Sequence, residues 1–321
     1  TLLTIHNVIY QTDCEESFAY LLGLDEGFFA PSGPYQRNSR LNFLKSGILT
    51  ADKVVAVSPT YAAETRSDNI MGCGLADELN SRGADYLGIL NGVDYEQWSP
   101  EADPLIREPY SFEQFAKKRE NKIALLEANG LDAQNLDLPT LGMVTKLTAP
   151  KGFDLLTGVF EKLMTLDLNL VMVGTGETKY HKLFENIKMR FPHKLGLNLN
   201  YSGKLAHQVL AGSDFFLMPS RFEPCGQHQM YAMRYGTVPI VRATGGLADT
   251  VADVTDDGES GTGFAFPEYD PQRLLRTVQR AVYFYKDKRL FKKIVQRDME
   301  QDYSWKVCTA KYLELYRQLL G

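Results

Sequence analysis

Cysteine and histidine are scarce in this sequence. Cys14, Cys73, Cys225 and Cys308 lie far apart, with no C-x-x-C and no Cys/His spacing that suits zinc. A disulfide framework and a metal site are therefore not expected, and reduced thiols in a cytoplasm-like compartment fit best. Of the five histidines, His181, His193, His207 and His228 gain no role from their spacing. No apolar stretch approaches the ~18–20 residues of a membrane span and no signal peptide is visible, so no membrane partner is expected. Positive charge is not in excess either. With 35 Lys and Arg against 40 Asp and Glu, the net charge is −5, which removes a global electrostatic case for nucleic acid. The remaining composition, 44% hydrophobic and 23% charged, is that of an ordinary globular protein. Its 321 residues exceed the ~250–300 at which single cores split, so two domains are expected. Thr1 leads directly into the apolar Leu2–Ile5 without an initiating Met, which reads as the middle of a domain preceded by further chain.

Strand-like runs occur at Leu2–Ile5, Lys53–Val57, Leu141–Thr145, Asn169–Val173, Leu197–Tyr201, Phe215–Met218 and Val238–Val241. Helical patterns alternate with them at Phe153–Met164, Tyr180–Arg190, Leu205–Ala211, Gln227–Tyr235 and Leu247–Val254, which argues an α/β fold with parallel, doubly wound sheets. The segment Asp103–Gly130 is polar and helical in pattern, and Leu131–Pro139 reads as a linker. A boundary is therefore expected near 137/138. Before it, two strands are too few for a complete sheet, so residues 1–137 read as the rear part of a first domain. Residues 138–302 form the second domain. Two helices, Pro271–Asp287 and Leu290–Gln301, are followed by Ser304–Leu320, where Trp305, Tyr312, Leu313, Tyr316 and Leu319 form an apolar stripe expected to dock on a domain surface.

The most informative stretch is Pro219–Val251, in which strand, tight turn, helix, strand and Gly-Gly turn follow end to end. The run Phe215–Met218 empties into Glu223-Pro224-Cys225-Gly226, and a helix from Gln227 places its first backbone N–H groups just beyond, where they bind anions. Thr244-Gly245-Gly246 repeats the arrangement, and two such turns can share a diphosphate. Lys146 and Lys151, after the strand from Leu141, are a charge clamp or equally a solvated basic turn. Gly174 belongs to a short G-x-G without the third glycine of the dinucleotide fingerprint. Glu223, held by the rigid Pro-Cys-Gly that follows, is suited to accept hydrogen bonds from ligand hydroxyls or to pair with a lysine. Cys225 at a helix start is a nucleophile or, better, a small packing residue. His6 and Asn7 end the first strand, where polar groups can meet a cleft.

The strings TIHNVIYQ (4–11), NFLKSGILTADKVVAVSPTYAAE (42–64), GILNGVDYEQWSP (88–100), KGFDLL (151–156), VGTGE (173–177), PSRFEPCG (219–226) and YAMRYGTVPIVRATGGLADTV (231–251) resemble the bacterial glycogen and plant starch synthases. The resemblance implies the GT-B architecture, two Rossmann-like domains facing a cleft, here with the first incomplete and residues 303–321 as a helix crossing back to it. It implies retaining transfer of glucose from ADP-glucose to the non-reducing end of an α-1,4-glucan, in the cytoplasm or a plastid, with no cofactor and no metal. On that resemblance His6 and Asn7 contact the transferred glucose, Glu223 holds its hydroxyls, and Cys225, Gly226, Gln227 and His228 line the sugar and phosphates. Lys146 and Lys151 meet the diphosphate, Tyr201 lines the adenine pocket, and Gly174, Thr244, Gly245 and Gly246 belong to the phosphate turns.

Three departures stand against the pattern. Lys146 replaces an arginine and His228 a threonine, and the family's K-x-G-G-L loop, upstream of the first strand, is not in this sequence. They motivate an alternative, an inactive homologue that binds nucleotide or glucan as a scaffold or regulator. A related enzyme for another nucleotide sugar is a third reading, but many such enzymes carry a second Glu where Tyr231 stands.

Overall fold

The computed structural model describes residues 1–24, 30 and 33–321. They divide into two compact units: residues 1–91 with 306–321, and residues 92–305.

The first unit holds β1 (Leu2–Ile5), β2 (Asp13–Cys14), β3 (Gln36–Arg37), β4 (Arg40–Asn42), β5 (Lys53–Ala56) and β6 (Tyr86–Gly88). A parallel sheet runs β1-β5-β6, with Leu2 opposite Lys53 and Val54 opposite Tyr86. A small antiparallel sheet runs β2-β4-β3. Only two strands were expected here; Tyr86-Leu87-Gly88 is too short to carry a period of its own. Helix Phe43–Thr50 starts where the Asn42 side chain accepts the Lys45 N–H, and helix Pro59–Ser67 where Ser58 accepts the Tyr61 N–H with Pro59 at the first helical position. Ile5, Ile48, Val54, Ala56, Leu75 and Leu79 close the core between sheet and helices.

Helix Trp305–Leu320 adds a second layer on the other sheet face. Cys308, Tyr312 and Leu315 pack on Leu2, Val55, Leu87 and Ile89. The buried face is thus rotated from the expected stripe, and Trp305, Leu313 and Tyr316 are exposed. Cys308, a small hydrophobe when buried, and Leu315 set the actual i, i+4, i+7 face.

The second unit is built on β7 (Thr140–Val144), β8 (Asn169–Val173), β9 (Leu195–Asn198), β10 (Phe215–Met218), β11 (Val238–Arg242) and β12 (Phe264–Phe266), in the order β12-β11-β10-β7-β8-β9 with every pair parallel. β7 and β8 are buried at every residue, which is why they read as continuous apolar runs. Counted from the β9 edge with β7 as the first strand, the order is 3-2-1-4-5-6, the doubly wound arrangement whose winding reverses between β7 and β10. In sheets of this order ligands bind at that switch point, outside the carboxyl ends of the two strands.

Several expectations shift. The sixth sheet position went to β9 at Leu195–Asn198 rather than Leu197–Tyr201, leaving Tyr201 outside the strand. Residues 92–137 belong to the second unit, so the boundary lies at 91/92 and not at 137/138. Lys118 explains the error. It is buried, and its ammonium donates to the carbonyls of Leu210, Ala211 and Tyr235 and to Thr237 Oγ1, at 2.7–3.1 Å. Asp103 accepts hydrogen bonds at 2.7 Å from His207 Nδ1 and 2.6 Å from the Tyr235 hydroxyl, all buried. These polar residues read as a solvated helical stretch, yet only Phe115–Lys117 and Lys118–Ala128 are helical there. Among the described residues no helix is long and apolar enough to cross a membrane.

Candidate active site

The loops leaving β7 and β10 are stitched together. The Arg221 N–H donates to the Pro150 carbonyl at 2.8 Å. Gly152 has φ +75°, and a Cβ on it would fall 1.9 Å from the Pro219 carbonyl oxygen, so glycine is required both by conformation and by closeness. This contact sets Lys151, at the end of the 3₁₀ turn Ala149–Lys151, across from Glu223. Lys151 Nζ donates to Glu223 Oε2 at 2.6 Å, and Ser220 Oγ donates to the same oxygen at 2.9 Å. Glu223 is 7% exposed, so the pair is shielded enough for its charges to interact strongly. Lys146 lies on the same rim, exposed and with no ion-pair partner among the described residues.

The second turn packs against the first. A Cβ on Gly245 (φ +45°) would lie 2.1 Å from the Glu223 carbonyl oxygen, and one on Gly246 2.0 Å from that of Cys225. The Gly246 N–H donates to the Glu223 and Pro224 carbonyls, each at 3.2 Å. Thr244, Gly245 and Gly246 are buried, and their helix runs Gly245–Thr250 rather than Leu247–Val254. The expectation that Gly246 offers its amide to a phosphate is corrected: that amide is used inside the protein, holding up the loop that carries Glu223. Cys225 is buried beneath the same glycine, as a packing residue. Gly226 (φ +66°) precedes Gln227, the N-cap of helix His228–Arg234. Gly174 allows β8 to pass the Thr145 carbonyl, 2.1 Å from where its Cβ would be.

His228 is a further correction. Its ring stacks on Phe216 at 5.9 Å and 7° and meets the edge of Tyr231. Burial, with help from Lys151 and against the pull of Glu223, lowers its pKa to about 4. At neutral pH it therefore adds no cation beside Lys151. Tyr231 stacks on Trp98 at 4.2 Å and meets His228 nearly at right angles, and Trp98 also stacks on His207 at 3.9 Å, so Tyr231 serves packing. Tyr201 is 54% exposed before helix Gly203–Gly212. In the first unit, His6 is exposed just past β1, and the Asn7 side chain accepts the Ile9 N–H at 3.1 Å while the Val8 N–H donates to the Tyr61 hydroxyl.

Residues 1–81 match the family model for the starch synthase catalytic domain, and residues 132–296 the one for glycosyl transferases group 1. A glycogen synthase of Kosmotoga olearia is 43% identical across all of this chain and 67% of its own length. The chain belongs to the glycogen synthase family of glycosyltransferases. A second member, from Thermosipho africanus, is 42% identical over all of this chain and 66% of its length, so the chain spans about two thirds of these relatives. Among solved structures, the catalytic domain of Arabidopsis thaliana starch synthase IV, bound to ADP and acarbose, matches 99% of the chain and 66% of its own, with 35% identity and a TM-score of 0.92. The fold of a Thermosynechococcus elongatus sucrose-phosphate synthase matches too, at 21% identity and a TM-score of 0.62 over 99% of this chain and 67% of that one. The GT-B fold of the glycogen synthase family is therefore the fold here, and relatives of that name across the whole chain do not favour the inactive-homologue alternative.

Two residues in this glycogen synthase family site escaped the sequence reading. Ser220 fixes the Glu223 carboxylate, and the S-x-x-E spacing was the available signal. Arg242 holds the turn from behind, its Nε donating to the Ser220 carbonyl at 2.7 Å; nothing local to Arg242 announces that contact.

Proposed function

We propose that the protein transfers glucose from ADP-glucose to the non-reducing end of an α-1,4-glucan with retention of configuration. The observation that carries this is the Lys151–Glu223 pair at the switch point, in a chain similar throughout to an ADP-bound starch synthase. A carboxylate beside an ammonium suits a ligand that is polyhydroxylated at one end and anionic at the other. In this reading Glu223 accepts from the sugar hydroxyls. Lys151 and Lys146, with the amides beginning helix His228–Arg234, meet the charge that develops on the departing diphosphate. Pre-set donors of this kind lower the barrier because they need no reorganisation when the bond breaks. His6 and Asn7 are assigned to the transferred glucose, Tyr201 to the adenine, and Gly174 to backbone approach at the phosphates. The bacterial relatives support a cytoplasmic setting, and no metal or cofactor enters the proposal.

The deciding experiment is incorporation of labelled glucose from ADP-glucose into glycogen by the full-length protein. Incorporation that Glu223→Gln abolishes supports the reading. No incorporation from ADP-glucose overturns it.

A further inference from the structure

At the opposite end of the second unit's sheet, before the amino ends of β7 and β10, lies a cavity of about 510 Å³ that the transfer reaction does not use. Its floor is aromatic, made by Phe115, Tyr285 and Phe291. Five cationic side chains line it, in a protein of net charge −5.

Two of the five are spent. Lys118 is saturated by the buried carbonyls described above. Lys122 donates to the Leu136 and Leu138 carbonyls, to the Tyr285 hydroxyl and to Asp214, all at 2.7–3.1 Å. Asp214 is thereby neutralised and takes a further hydrogen bond from the Thr140 N–H. Arg119, Lys288 and Lys292 remain at the exposed rim, facing one uncommitted carboxylate, that of Asp137. The rim carries a surplus of two positive charges over an apolar floor. The ammonium of Lys288 lies 3.2 Å above the Tyr285 ring centroid and that of Lys292 5.5 Å from the centroid of Phe112, so both charged heads rest on aromatic faces at the rim and, among the described residues, neither is held by a carboxylate. Burial lowers the Lys288 pKa, a penalty an anionic neighbour relieves.

We propose that this cavity binds an organic phosphate monoester with an aromatic body, its dianion held by Arg119, Lys288 and Lys292 and its ring laid between Phe115 and Phe291. Size and lining agree: ligand pockets of ~300–1,000 Å³ combine a mostly apolar wall with a few convergent polar groups. The charge surplus equals that of a phosphate monoester, and an arginine beside two lysines is a set that captures such oxygens. The proposal does not depend on the transfer activity.

Calorimetric titration of the protein with phenyl phosphate, at low salt and with ADP saturating, tests it. The expected result is one phenyl phosphate per chain, unaffected by ADP, with affinity falling as salt rises. The variant Arg119→Ala/Lys288→Ala removes only exposed side chains and keeps the melting temperature; it should weaken binding at least about tenfold. Binding unchanged in that variant overturns the proposal. So does inorganic phosphate binding as tightly as phenyl phosphate, or no saturable binding. Competition by ADP assigns the ligand to the transfer site and overturns it likewise.

Discussion

Lys151 Nζ lies 2.6 Å from Glu223 Oε2, although the two residues are carried by loops 72 positions apart in the chain. The contact exists because Gly152 lets one loop press on the Pro219 carbonyl of the other. An ammonium and a carboxylate that hold each other so closely are also pre-set for two parts of one substrate. Lys151→Ala and Glu223→Gln are each expected to lower the transfer rate by about 10²–10³-fold. The double variant should fall short of the product of the two effects, because each residue orients the other. Steady-state kinetics on the three variants, with melting temperatures to confirm folding, check this. Strict multiplicativity would show the pair to be uncoupled.

Gly246→Ala should disable the same site from behind. The added Cβ, 2.0 Å from the Cys225 carbonyl oxygen, must push the Glu223 loop outward and break the Gly246 amide's hydrogen bonds. A stability loss of about 1–3 kcal/mol is expected, together with a fall in kcat. Denaturant unfolding and transfer assays measure both, and a fully active Gly246→Ala enzyme would remove the buttressing role.

Lys146→Arg should raise transfer. Lys146 is exposed, so the substitution leaves packing alone and supplies a planar fork for phosphate oxygens in place of a point charge. A gain of severalfold in kcat/KM is expected, and a loss would show that the lysine is matched to its neighbours here.

A half-buried histidine and a buried aspartate give the stability of the second unit opposing pH dependences. His228 has its pKa lowered to about 4, so the unfolded chain binds more protons between about pH 4 and 6.5. Stability from this residue is present above that window and lost as pH falls through it. Asp298 is the reverse. It is buried with neither carboxylate oxygen hydrogen-bonded among the described residues, and burial raises its pKa well above the usual value, against Arg297. Its contribution is whole below about pH 4 and is lost as pH rises toward the folded-state pKa. Each group gives a slope of up to about 1.4 kcal/mol per pH unit, and between about pH 4 and 6.5 the two slopes oppose each other. Asp298→Asn should therefore uncover a stability that rises across that range, and His228→Asn one that declines. Urea unfolding at several pH values reads both; parallel curves for the two variants would contradict the assignment.

How far the sequence disclosed this arrangement depends on the range of each contact. β7, β8, β10 and β11 announce themselves because a strand buried on both faces is apolar throughout. Glu223 stands out because Pro224 and Gly226 restrict it locally, and Lys151 because it opens a helix. Asp103, Lys118 and Lys122 look solvated, since charge alone does not reveal that distant carbonyls, hydroxyls and a histidine await each one. For the same reason Gly246 resembles a phosphate turn. Only the Glu223 and Pro224 carbonyls folded against it show that its amide is already occupied, and only the burial of His228 in the folded chain lowers its pKa.

Residues 92–305 form one unbroken stretch whose two ends meet, the Val93 N–H donating to the Tyr303 carbonyl at 2.8 Å beside a parallel bridge from Val93 to Ser304. The first unit is divided around that stretch and takes residues 306–321 into its core. During synthesis, the larger unit can therefore close on itself as soon as it has emerged. The smaller one must hold Val55 and Ile89 uncovered until Cys308 and Leu315 arrive. Of the two units, the one that begins earlier in this chain completes its core later.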